Sequence, residues 1–152
     1  MNYWLMKSEG DCYPIYQLKK DKSTSWSGVR NFQARNFMKD MKVGDMVLFY
    51  HSNDKPSGVY GLATVSKLAH PDITAQDPKD EHYDPKSTKE KPIWECVDVQ
   101  YVETWEKPIS LEEIKKDSKL SKMKLVQRGS RLSVMSVTKG EFEHICKLNK
   151  GK

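Results

Sequence analysis

The sequence predicts an α+β fold in which a strongly curved, mostly antiparallel sheet forms a partly closed barrel with peripheral helices. Three observations carry that expectation. Residues 93–105 alternate in side-chain character with the period of a strand whose two faces differ. Met46-Val47-Leu48-Phe49-Tyr50 is an apolar run too short for a helix, and a second strand-like run follows at 59–68 after the turn Pro56-Ser57-Gly58, so the two read as an antiparallel hairpin. Helical signals come only as short segments between the strands. A twisted sheet of five or six strands covered in that way tends to curl.

In chain order, Tyr3-Trp4-Leu5-Met6 reads as a short buried strand that delivers Lys7-Ser8 at its end. Ile15 to Lys20 resembles a short helix with Ile15 and Leu18 inward. Over Phe32 to Lys42, Ala34, Phe37, Met38 and Met41 fall on one helical face and Arg35, Lys39 and Lys42 on the other, and Gly44-Asp45 stops the helix. The strand at 46–50 is apolar throughout, as expected when both faces are buried, and ends in the polar cluster His51-Ser52-Asn53-Asp54. Val59, Gly61, Ala63 and Val65 are expected to share one face of the next strand. His70 to Pro92 is a long polar loop, and loops of that length in small domains are often functional. In the strand at 93–105, Ile93, Val97, Val99 and Tyr101 oppose Trp94, Cys96, Asp98 and Gln100. Ser110-Leu111-Glu112-Glu113 has capping-box spacing, Leu132 to Val137 alternates like a strand, and Thr138 caps a last helix carrying Phe142, Ile145 and Cys146.

The 152 residues read as one domain, 1–152, with no repeat or linker. Aromatic residues at 10% argue against disorder. No apolar run approaches the roughly 20 residues of a membrane helix. Met1-Asn2-Tyr3-Trp4-Leu5-Met6-Lys7 lacks the parts of a signal peptide, so a cytoplasmic protein is expected, or a nuclear one in a eukaryote. Cys12, Cys96 and Cys146 are odd in number and form no CxxC pair, which disfavours disulfides and zinc. None of the histidines His51, His70, His82 and His144 lies in a HExxH motif, and there is no GxSxG elbow. The acidic loop residues Asp72, Asp77, Asp80, Glu81 and Asp84 do not follow a calcium-loop pattern and read as solvated. No metal or cofactor is expected.

Binding chemistry is better represented. In Ser25-Trp26-Ser27-Gly28-Val29-Arg30-Asn31, Trp26 offers a flat face, Gly28 a close-approach backbone, and Arg30 and Asn31 donors for phosphate or a heterocycle edge. Trp26 reads either as a stacking surface or as a core residue at the sheet rim. Tyr50 and Trp94 would add aromatic surface or fill the core, and Ser8, Ser27 and Ser52 could read a base edge. The net charge of +5 is concentrated late: residues 110–152 hold eleven Lys and Arg against five Asp and Glu. Lys124, Arg128 and Arg131 lie in this stretch and are candidates for the nucleic-acid backbone, the alternative being a solvated surface.

Several segments together resemble the EVE domain: Tyr3 to Glu9, Trp26 to Asn36, Gly44 to Ser52, Tyr83-Asp84-Pro85-Lys86-Ser87, Trp94 with Val97-Asp98-Val99, and Arg128 to Val134. The chain is similar to stand-alone bacterial EVE proteins and to the thymocyte nuclear protein family. The resemblance implies a PUA-like fold and kinship with base readers such as the YTH domains. It implies a non-catalytic reader of a modified base, modified cytosine in DNA foremost; a monomer is expected. By that analogy Lys7, Ser8, Trp26 and Ser27 line a pocket, Tyr50, His51 and Ser52 complete a wall, and the loop after His70 is a lid. An enzyme acting on modified nucleotides through His51 and Asp54, an RNA-binding module, and a peptide-binding cleft are the alternatives. The chain departs from the family pattern at Gly10 and Ser136, where proline is usual, and at Ser27, where an acidic residue is usual.

Overall fold

A computed structural model describes residues 1–129 and 132–151. Among the described residues six strands form one sheet: β1 (Tyr3–Glu9), β2 (Ser23–Ser25), β3 (Met46–Ser52), β4 (Gly58–Pro71), β5 (Glu95–Ser110) and β6 (Val134–Val137). Their order is β2-β5-β4-β3-β1-β6. Only β1 and β3 pair in parallel; the other neighbours are antiparallel, including the expected β3–β4 hairpin. The end strands β2 and β6 are not bonded to each other, so the sheet stays open. It is nonetheless strongly curled. Trp26, just past β2, packs edge-on against Phe49 of β3 at 5.4 Å although β5 and β4 lie between these strands in the sheet.

Both faces are covered, which is why β3 is apolar on every residue from Val47 to Tyr50. On one face α1 (Ile15–Asp21) and α2 (Phe32–Asp40) bring Ile15, Leu18, Ala34 and Met38 onto Trp4, Met6, Val47, Phe49, Val65, Val97 and Val99. On the other, α3 (Leu111–Lys116), α4 (Lys139–Lys150) and two 3₁₀ turns at Ser118–Leu120 and Lys124–Val126 bring Ile114, Leu120, Met123, Phe142 and Ile145 onto Leu5, Leu48, Ile109 and Met135. Burying one such aliphatic side chain contributes roughly 1.5–3 kcal/mol. Ser110 and Thr138 each make a complete capping box, with Glu113 and Glu141. No helix of the described residues is long and apolar enough to cross a membrane.

Three departures from the sequence reading have local causes. Strand β2 is three polar residues, and only its ladder to β5 identifies it. Irregular register around Tyr60 and between Phe49 and Tyr50 turns Val59 into the second core while Ala63 and Val65 remain in the first, so these residues do not share one face. Strand β1 runs on to Glu9, so Lys7 and Ser8 are its closing residues, paired with Tyr50 and His51 of β3.

Candidate functional site

A cleft of about 700 Å³ opens where the curled sheet brings the end of β1 near the segment after β2. One side is Lys7, Ser8 and Glu9 with Cys12 and Tyr13; the other is Thr24 to Arg30; Glu81, His82 and Ser133 complete the rim. The backbone builds the second side. Trp26 N–H donates to Val97 O at 2.8 Å, which prolongs the β2 pairing, and Ser27 N–H then folds back to Ser25 O at 2.9 Å. Gly28 turns the chain with φ +87°, and its N–H donates to Asp72 Oδ2 at 2.8 Å. The His82 ring lies over Gly28, 3.0 Å from where a Cβ would be. Gly28→Ala is therefore expected to cost about 1–2 kcal/mol for the left-handed backbone alone, read as a lower denaturation midpoint at unchanged slope.

The structure brings Lys7, Ser8, Trp26, Ser27 and Arg30 to this cleft. It does not bring Asn31, Tyr50, His51, Ser52 or Trp94 into its lining. Asn31 is the N-cap of α2, its side chain accepting from Ala34 N–H at 2.9 Å, which is where a helix needs such a residue. Tyr50 is buried in the second core, and the Lys7 ammonium sits 5.5 Å from its ring centre. His51 is buried. Its Nε2 accepts from Ile15 N–H at 3.0 Å, which places the ring proton on Nδ1, facing Asp54 Oδ2 at 3.1 Å, and the ring stacks on Tyr60 at 3.9 Å. Ser52 Oγ meets Ser8 O at 3.4 Å. Trp94 is 6% exposed, stacks on Phe32 at 4.8 Å, and donates from Nε1 to Asp84 Oδ2 at 2.7 Å.

Arg30 lines the cleft with few donors to spare. Nε donates to His82 O, Nη1 to Val29 O and Asp72, and Nη2 to Thr74 Oγ1. Four of the five guanidinium hydrogens are thus engaged. Its partner Asp72, expected from the sequence to be solvated with the other loop acids, is buried instead, and its role in holding the cleft was not foreseen. It is 1% exposed, and its oxygens accept from Gly28 N–H, Arg30, Thr74 N–H and Thr74 Oγ1. Burial would raise the Asp72 carboxyl, but the hydrogen bonds from Thr74, Gly28 and Arg30 outweigh it and hold it below its ordinary value. The acidic loop is therefore a self-bonded strut. Asp77, Asp80 and Asp84 also accept backbone N–H groups two residues on.

The EVE domain family model matches residues 2–148. The chain belongs to the EVE domain family. Thymocyte nuclear protein 1 of Gallus gallus is 40% identical over 169 residues, which span 99% of this chain and 69% of that protein. A hypothetical protein from Leishmania major superposes with TM-score 0.95 at 49% identity, covering 99% of this chain and 96% of that one. The human THYN1 protein, solved in complex with 5-methylcytosine containing DNA, superposes with TM-score 0.92 at 37% identity, covering 100% and 99%.

What remains free in the cleft of this EVE domain is informative. The Trp26 indole is 8% exposed, so it belongs to the core as well as to the wall, and its Nε1–H, without a hydrogen-bond partner among the described residues, is left to solvent. The Ser27 side chain is exposed and likewise unbonded. Lys7 is half-buried with no ion-pair partner among the described residues, and burial lowers its pKa. Tyr13, the second ring of the wall, donates from its hydroxyl to Asp21 at 2.8 Å. Glu9, Asp11 and Cys12 are spaced as metal ligands, but all three are exposed. At Gly10 a Cβ would meet the carboxylate of the partly exposed Asp54 side chain, and the Gly10 N–H donates to Ser52 O at 3.3 Å, a bond that proline could not make. Lys124 and Arg128 are exposed on the approach to β6, outside the cleft lining; Arg131 lies outside the described residues.

Proposed function

We propose that this single EVE domain is a non-catalytic reader of modified DNA, which takes an extruded modified cytosine into the cleft between β1 and the Trp26–Arg30 segment. One observation carries the reading: a relative matched over the full length of this chain, the human THYN1 protein, is solved with 5-methylcytosine containing DNA. The cleft is compatible with it. An unpaired indole N–H, a free serine hydroxyl and a cation without a counter-ion converge on a space large enough for a nucleotide. Trp26 contributes the aromatic wall, Lys7 meets a phosphate or an acceptor on the base, and Ser8 and Ser27 stand at the base edge. Lys124 and Arg128 add attraction for the DNA backbone.

The enzymatic alternative gains little from the side chains. Both ring nitrogens of His51 are committed to Ile15 and Asp54. Ser25, Asp98 and His70 do form a cluster, but the serine bonds the carboxylate, at 2.6 Å, instead of a histidine base. The Cys96 thiol is pushed up to about 12 by burial, so it carries no thiolate near neutrality.

The test compares binding of 5-methylcytosine and cytosine oligonucleotides, with RNA of the same sequence as a further arm. Trp26→Phe keeps a core-filling ring while removing the indole N–H, and Ser27→Ala removes the free hydroxyl. Each is expected to weaken selective binding by about 0.5–1.5 kcal/mol, the worth of one hydrogen bond. Equal, salt-dependent affinity for all oligonucleotides, untouched by either variant, would reduce the interaction to charge alone.

A further inference from the structure

We propose that Ile73 is a wedge that enters the DNA stack at the place vacated by the extruded base. The inference deepens the reading above and rests on it. Ile73 is 75% exposed, although both neighbours in its turn that face inward, Asp72 and Ala75, are buried. It opens the 3₁₀ turn Ile73–Gln76, whose start is tied by its cap: Asp72 Oδ1 accepts from Thr74 N–H at 3.0 Å and from Thr74 Oγ1 at 2.6 Å. The turn is tied to the cleft on both flanks. Asp72 grips Gly28 N–H and Arg30, and Arg30 Nη2 reaches Thr74 Oγ1 at 3.2 Å. Asp84 N–H donates to Ala75 O at 2.9 Å, which anchors the segment carrying Glu81 and His82.

An apolar side chain is thus held out in water on a rigid mount, one residue from groups that fix two members of the cleft wall. Extruding a base leaves a gap in the stack, and proteins that unstack DNA fill such gaps with short apolar residues. Phe32, 57% exposed, is less suited. One ring face is covered by Trp94 at 4.8 Å and the Arg35 guanidinium lies 4.9 Å from the ring centre.

The experiment measures Ile73→Ala and Ile73→Leu against wild type on three probes, each made with one 5-methylcytosine and, as a control, with cytosine in its place: a fully paired duplex, the same duplex with an abasic site opposite, and the single strand. 2-Aminopurine beside the modified base reports unstacking. The expected result is that Ile73→Ala binds the paired duplex about tenfold more weakly and loses the fluorescence rise, while the other two probes change less than about twofold. Ile73→Leu should retain the wild-type pattern. Equal effects of Ile73→Ala on all three probes, or none on any, would overturn the wedge and leave the reader standing. A wild-type protein with no preference for 5-methylcytosine, even in the single strand, would remove the reading itself, and that outcome is scored without any variant.

Discussion

Asp72→Ala is expected to destabilise the protein by about 3 kcal/mol, the lower end of the cost of breaking a buried ion pair, because Arg30 keeps 21% exposure. Selective binding should be lost with it. The carboxylate bonds Gly28, Arg30 and Thr74 at once, so its removal leaves the Trp26–Arg30 wall tied to the loop at 72–84 only through the Arg30 bonds to His82 and Thr74 among the described residues. Arg30 would keep its bonds to backbone carbonyls but lose its counter-charge. Asp72→Asn preserves volume yet turns an amide toward donors, and is expected to fall between wild type and alanine. The pH dependence has a definite sign. The folded carboxyl titrates below its ordinary 3.8, so the unfolded chain takes up the proton first. Its stabilisation is complete above the ordinary value and is lost as pH falls through the folded one. Denaturation midpoints of wild type and Asp72→Asn should therefore converge as pH is lowered below about 3.8 and stay parallel above pH ~5. A gap that persists undiminished into strong acid would show that the effect is packing and not charge.

The parts of the fold that burial dictates were legible in the sequence. The run at 46–50 is apolar on both faces because helices cover both faces, and the two capping boxes mark α3 and α4 because a helix start leaves N–H groups that need acceptors. Strand β2 was not legible, since its three polar residues earn their place by ladder bonds to β5 alone. The site divided along similar lines. Lys7, Ser8, Trp26, Ser27 and Arg30 reach the cleft. Asn31 reads from sequence as a ligand donor, but a polar residue three positions before an apolar helical pattern serves equally as an N-cap, and here it does. His51 and Trp94 were drawn to the site by their chemistry, whereas their places in the fold give them other partners. Asp72 looked like one more acid in a polar loop. Its signal was positional: it follows the long strand β4 directly, where a buried carboxylate can catch the segment crossing from β2.

His51→Ala should be as damaging as the loss of Asp72, about 3 kcal/mol, and for a reason unrelated to catalysis. The ring is 1% exposed and stacks on Tyr60, so truncation opens a cavity. It also leaves Ile15 N–H, in the first turn of α1, without its acceptor. The segment just before α1 supplies Cys12 and Tyr13 to the cleft, so binding should weaken in step with stability. Protonation attacks the same bond. Burial lowers the His51 pKa from its ordinary 6.5, against the opposing pull of Asp54, so the folded state favours the neutral ring. The unfolded chain then binds a proton first as pH falls, and the stability that His51 contributes is full above 6.5 and declines below it. Urea denaturation between pH 8 and 5 should show wild type losing stability through this window and His51→Ala losing less. If His51 were instead a catalytic base, its alanine variant would lose turnover of a modified nucleotide while its denaturation midpoint stayed at the wild-type value. The ring's contacts to Ile15, Asp54, Tyr60 and Phe49 predict the opposite: a protein whose midpoint falls, and whose affinity falls only because the wall of the cleft is no longer held.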